Sequence, residues 1–133
     1  MQVMSQAMIK IDSSSVDFIL SGTTEFPVRH QIYIEMATNA EKVKKNADLL
    51  ADIYDVLMKK TNSCYDVSRL QMAIESPEIH ILKKGTFKKI SEENAQKKGN
   101  AAQTKLLHIV QPEKIKKIID EDMIDYSYAP KEE

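Results

Sequence analysis

The sequence predicts an α+β fold: a small single domain of short antiparallel strands packed against one long amphipathic helix, with shorter helices toward its C-terminal end. Three observations predict it. Apolar residues alternate with period two in the first third of the chain. A capping box then leads into an apolar seam with helical spacing. A second pair of alternating segments, joined through a glycine, lies in the middle. At 133 residues the chain has the length of one ordinary domain. Residues 1–125 are expected to form it, and residues 126–133 to be a loose charged tail.

Met8-Ile9-Lys10-Ile11-Asp12 and Gln31-Ile32-Tyr33-Ile34-Glu35-Met36 alternate, and Val16-Asp17-Phe18-Ile19-Leu20 is a short apolar run closed by Ser21-Gly22. These are expected as three strands. A helix over residues 4–11 is the competing assignment, because Met4, Met8 and Ile11 also share a helix face. Pro27 interrupts the approach to the third strand.

Thr38-Asn39-Ala40-Glu41 has the Thr-x-x-Glu spacing of a capping box and predicts one continuous helix over residues 38–60. Met36, Ala40, Val43, Ala47, Leu50, Tyr54 and Leu57 are spaced alternately by four and three. Leu49, Ile53 and Val56 widen that stripe, and Lys59 and Lys60 suit the last turn. Asp66 is expected to cap a second helix, Val67 to Glu75, with Leu70, Ala73 and Ile74 inward and Ser76-Pro77 ending it.

Residues 78–82 and 86–90 are expected to pair as a hairpin across Lys83-Lys84-Gly85. A short polar helix should run from Ser91 to Lys98 and stop at Gly99-Asn100. Ala101 to Val110 is a helix or a strand. Pro112 suits the first turn of a last helix, Glu113 to about Ile124, with Ile115, Ile118, Ile119 and Met123 inward. The polar stretch from Ser91 to Thr104 is the candidate loop.

Charge is sorted along the chain. Residues 83–117 carry ten Lys against three acids, whereas residues 118–133 carry six acids and one Lys, within a net charge of −1. Such asymmetry points to an acidic or polyanionic partner, or to the two segments pairing with each other. Lys83, Lys84, Phe87, Lys88, Lys89, Lys97 and Lys98 form the candidate interaction surface. Asp120, Glu121, Asp122 and Asp125 form a candidate acidic one. Phe87 among lysines could stack on a base. Only Arg29 and Arg69 are available for bidentate phosphate or base contacts.

Chemistry-bearing motifs are absent. Gly22, Gly85 and Gly99 stand alone, so no glycine-rich phosphate loop can form. His30, His80 and His108 have no second ligand at short spacing, so no metal site is expected. His80 is expected as a solvent-facing strand residue and His108 as a packing residue. Cys64 has no basic neighbour and is expected to be an inert thiol, in a chain with no disulfide and no visible signal peptide. Asp48, Asp52 and Asp55 share one helix face, expected to be solvated. No catalytic residue and no cofactor is nominated.

The functional expectation is therefore a small non-enzymatic intracellular protein that binds or assembles with a protein partner, of the phage or mobile-element accessory type. Nucleic-acid binding through the Lys-rich hairpin is the alternative. Self-association through residues 36–57, no membrane contact and a cytoplasmic location complete it. No motif assigns the chain to a family.

Overall fold

The computed structural model describes residues 2–11, 13–23, 28–38, 40–98 and 109–130. Helix α1 is Gln2–Lys10, followed by strands β1 (Ser15–Ser21) and β2 (Arg29–Met36). Helices α2 (Ala40–Lys45), α3 (Ala47–Thr61) and α4 (Ser63–Leu70) lead to β3 (Glu75–Leu82). Helices α5 (Thr86–Lys98) and α6 (Pro112–Ile118), a 3-10 turn at Glu121–Met123, and β4 (Ile124–Tyr128) complete the order. The α+β class is as the sequence predicts.

The strands form one sheet in the order β1-β2-β3-β4. The outer pairs are antiparallel and the central pair, β2 with β3, is parallel. A parallel pair needs a crossover. Here α2, α3 and α4 supply it.

Both faces of the sheet are covered. Ile32 and Ile34 of β2, with Ile79 and Ile81 of β3, are at most 1% exposed and pack with Val3, Met4 and Ala7 of α1 and Leu50 and Tyr54 of α3. On the other face Ile19 and Leu82 pack with Phe87 and Ile90 of α5 and Ile115 of α6. Period two along each strand sends alternate side chains to the two cores.

Several expectations are corrected. Residues 8–10 belong to α1, not a strand. The helical face buries Val3, Met4, Ala7, Met8 and Ile11 together, and of the apolar residues there only Ile9 is left exposed. That burial outweighs the local alternation. The helix over 38–60 is broken at Asn46. Its side-chain amide donates to the Lys42 carbonyl at 2.8 Å, and its φ and ψ of −119° and 29° leave the helical range. The capping box does not form: Thr38 Oγ1 accepts from the Ser14 amide at 3.1 Å, tying the end of β2 to the start of β1. The seam itself is buried in the chain's own core at Val43, Ala47, Leu50, Tyr54 and Leu57, whereas Leu49 and Val56 are exposed.

Helix α4 starts at Ser63, ahead of the expected Val67. Asn62, not Asp66, is its cap, accepting from the Tyr65 amide at 3.0 Å. Tyr65 then points inward, and Leu70 and Ala73 are exposed. Ser76 and Pro77 lie inside β3 rather than at a helix end.

The predicted hairpin is absent, because residues 86–90 are helical. Phe87 and Ile90 sit three apart and bury one face, while Lys88 and Lys89 face solvent. The partner of β3 comes instead from the expected tail. β4 pairs Tyr128 with Ile79, Ser127 with His80 and Tyr126 with Ile81. The last helix accordingly stops at Ile118, where Ile119 becomes extended. Ile109 bridges Leu20, but residues 99–108, including Gly99, Asn100 and His108, lie outside the described residues, as do Pro27 and Asn39.

Candidate functional site at the ends of the parallel strands

The chain leaving β2 enters α2 and α3 on one face of the sheet, and the chain leaving β3 enters α5 on the other. In open α/β sheets that divergence opens a crevice outside the carboxyl ends of the strands, where ligands bind. Glu35, at the end of β2, is 4% exposed and reaches the loop that leaves β3. Its Oε2 accepts from the Gly85 amide at 3.0 Å and its Oε1 from the Phe87 amide at 2.8 Å. Thr86 Oγ1 donates to the Lys83 carbonyl at 2.6 Å, and the Lys83 amide to the Met123 carbonyl at 2.8 Å. Gly85 adopts φ 88°, a conformation that costs a Cβ-bearing residue strain. The loop is thus pinned from both sides.

Lys83 and Lys84 stand exposed on this loop, and Lys88 and Lys89 on the first turn of α5. Among the described residues none of the four is ion-paired. Their charge is therefore available. The Gly85 and Phe87 amides are occupied by Glu35 and the Thr86 amide by the Lys83 carbonyl, so the positive field here comes from the lysine side chains. Lys97 and Lys98 lie in the last turn of α5, and their side chains are outside the described set. Phe87 is 3% exposed, in the core. It cannot stack on a base, which corrects the role expected of it.

Asp120, Glu121 and Asp122 are exposed at and beside the 3-10 turn. Asp125 on β4 pairs with Lys44 of α2, which also holds Glu41 at 2.9 Å. Of the acidic segment, Asp125 therefore engages α2. Among the described residues it makes no ion pair with Lys83, Lys84, Lys88 or Lys89.

Sequence reasoning missed two buried polar clusters. Asp55, expected on a solvated face, is 8% exposed. Arg69 of α4 grips it with two bonds of 3.0 Å, Tyr65 donates its hydroxyl, and Lys59 lies at 3.3 Å. Burial alone would raise the Asp55 carboxyl. The Arg69 and Tyr65 hydrogen bonds, with Lys59, more than reverse this and hold it below its ordinary value. Arg29, 5% exposed, donates to the Ser76 carbonyl at 2.9 Å and to Glu75 at 3.0 Å. Both arginines of the chain are thus used inside the fold. Their spacing from acids in sequence, 14 residues for Asp55–Arg69, hides the pairing from any local pattern.

His30 places Nδ1 2.8 Å from the Tyr54 hydroxyl, and its ring centre 5.0 Å from that of Tyr65. Burial lowers its pKa, against the opposing charge of Asp55. His80 is not solvent-facing as expected. It stacks on Tyr33 and binds Gln31 and Ser127, and burial again lowers its pKa, opposed by Glu78. Both folded pKa values lie below the unfolded one, so the native state binds fewer protons. Stability should be full above pH of about 6.5 and fall as pH drops below it. Melting temperatures at pH 7.5 and 5.5 check this. The drop should shrink in the double variant His30→Gln and His80→Gln.

Cys64 lies in the first turn of α4 as an exposed free thiol. Among the described residues no helix is long and apolar enough to cross a membrane, and no group of His, Cys, Asp or Glu could hold a metal ion.

This architecture is a mixed sheet covered on both faces, with a pinned, lysine-bearing loop at the ends of its parallel strands. Residues 1–114 match the model of the GH3 family C-terminal domain, and the chain belongs to that family. No curated protein matches it. Among solved structures it is similar to "GH3.15 acyl acid amido synthetase", with 18% identity and a TM-score of 0.74, over 96% of this chain and 22% of that one. It is also similar to "AtGH3.15 acyl acid amido synthetase in complex with 2,4-DB", with 17% identity and a TM-score of 0.78, over 96% and 23%. At these identities the likeness is one of fold. The chain spans less than a quarter of the length of either synthetase.

These findings overturn the functional expectation. A domain from an enzyme family replaces the non-enzymatic binding or assembly protein of phage or mobile-element type, and its nucleic-acid-binding alternative.

Proposed function

We propose that this chain serves as a domain of an acyl acid amido synthetase, an enzyme that joins the carboxyl group of an acyl acid to an amine. The observation that carries the reading is the family match over residues 1–114, taken with the fold likeness to two acyl acid amido synthetases. Carboxylates do not condense with amines in water, so such an enzyme must activate the carboxyl group and keep water from it. A domain of this size contributes a face to that site, and the larger remainder of the enzyme supplies the rest. Lys83, Lys84, Lys88 and Lys89 are the side chains this domain offers to an acidic surface on that remainder. A cytoplasmic location belongs to the same reading, since the exposed thiol of Cys64 suits a reducing compartment.

The test is a product assay on the native polypeptide or complex that contains this chain. It is incubated with a nucleoside triphosphate, a panel of small carboxylic acids and the common amino acids. Products with the mass of acid plus amine less water are expected. Reversing the four lysines to Glu should lower their rate of formation without lowering the melting temperature. An intact preparation that forms no amide from any pair overturns the reading.

A further inference from the structure

On the sheet face away from α3, five side chains converge that the proposed function does not use. The register sets His80 of β3 opposite Tyr33 of β2 on one side and Ser127 of β4 on the other. The imidazole stacks on the Tyr33 ring, with centroids 4.7 Å apart and planes 19° apart, which fixes its plane. His80 Nε2 faces the Gln31 side-chain oxygen, with a Glu78 oxygen at 3.7 Å. Two acceptors on that side place the ring proton on Nε2. The lone pair of Nδ1 then points at Ser127 Oγ, 2.8 Å away, and the hydroxyl must donate to it.

This is the order of nucleophile, base and orienting group that activates a serine. The accessibilities fit it as well. Gln31 is 7% exposed, the His80 side chain 14%, and Ser127 lies exposed on the edge strand. The base is thus sheltered and its nucleophile open to solvent.

We propose that Ser127 is an activated nucleophile toward activated esters, with His80 as its general base and Gln31 as the residue that positions the imidazole. Ser127 Oγ bonds to the ester carbonyl carbon while its proton passes to His80 Nδ1. The bond from that carbon to the leaving oxygen breaks, and the leaving group takes the proton from the imidazolium. The products are an ester on Ser127 and a free alcohol. Water, deprotonated by the same imidazole, then releases the acid and restores the serine. The Glu78 carboxylate faces the imidazolium as it forms. Burial supports the assignment, since it keeps the imidazole unprotonated and able to accept. Nothing in this inference depends on the synthetase reading.

The experiment treats the protein with an alkyl fluorophosphonate, which phosphonylates activated serines, and locates adducts by peptide mass. One adduct is expected, on Ser127. It should be absent in Ser127→Ala and form at least about tenfold more slowly in His80→Phe. Circular dichroism confirms that each variant folds. Should His80→Phe fail to fold, Gln31→Leu and Gln31→Glu decide: the first should slow labelling and the second, which keeps an acceptor, should restore it. No adduct on Ser127, or a rate indifferent to these substitutions, overturns the proposal.

Discussion

Replacing Asp55 by alanine should cost the fold about 2–4 kcal/mol, because it strips a buried hydroxyl of its acceptor and a half-buried guanidinium of its carboxylate. The reason lies in the groups left behind. Arg69 would keep its guanidinium among the Ile74 carbonyl, the Ser76 hydroxyl and an empty site where two bonds of 3.0 Å had been. Tyr65, 3% exposed, would lose its acceptor. Asp55→Asn keeps the shape but not the charge and should recover only part of the loss. Because α4 and the start of β3 meet at this cluster, the crossover between the parallel strands depends on it. Urea unfolding of the three proteins measures the effect through the shift in midpoint at constant slope. The pair also predicts acid sensitivity. Asp55 titrates below its ordinary value in the folded state, so its contribution is complete above the unfolded carboxylate pKa and disappears as pH falls through the folded one. A variant within 1 kcal/mol of the parent would show that the cluster is dispensable.

The same residue marks where the sequence stops being informative. Within α3 the four-three spacing of Ala47, Leu50, Tyr54 and Leu57 locates the stripe buried against the sheet, because side chains on one helix face are fixed by local geometry. It cannot show that Asp55, on the adjoining face, is covered by a helix that folds back 14 residues later. Strand β2 is legible from its alternation and β1 from a short apolar run closed by Ser21-Gly22, for the same local reason. β4 is not, since Ile124–Tyr128 becomes a strand only by completing the edge of β3. The absent hairpin is more instructive. Gly85 signals a change of direction, and the chain does turn there. The residues beyond it become helical because Phe87 and Ile90 bury one helix face, and because a carboxylate 50 residues before Gly85 holds the turn. The lysines at positions 83, 84, 88 and 89 are clustered in sequence and exposed in the structure. Their placement at the ends of two parallel strands required the topology. The family itself carries no signal in short motifs, so charge patterning suggests a binding protein where an enzyme-family domain stands.

Glu35→Ala is the variant that separates the loop's architecture from its charge. Glu35 is the only side chain among the described residues that accepts from both the Gly85 and Phe87 amides, and it does so from a buried position on β2. The buried Phe87 amide left without a partner costs about 1–3 kcal/mol and the amide of exposed Gly85 about 1 kcal/mol, so the loss should be about 2–4 kcal/mol. Glu35→Gln retains one acceptor oxygen and should lose roughly half as much. The damage should be local before it is global. Amide exchange at Gly85, Phe87 and the next turn of α5 should accelerate well beyond that in α3, where Leu50 and Tyr54 hold the opposite face. The four lysines would keep their charge and lose their fixed arrangement. If an ordered array is what the rest of a synthetase meets, amide formation should fall in Glu35→Ala even at temperatures where the domain stays folded. If charge alone matters, activity should survive this substitution and fail only in the lysine reversal. Unchanged exchange at Gly85 and Phe87 would remove the premise that Glu35 pins the loop.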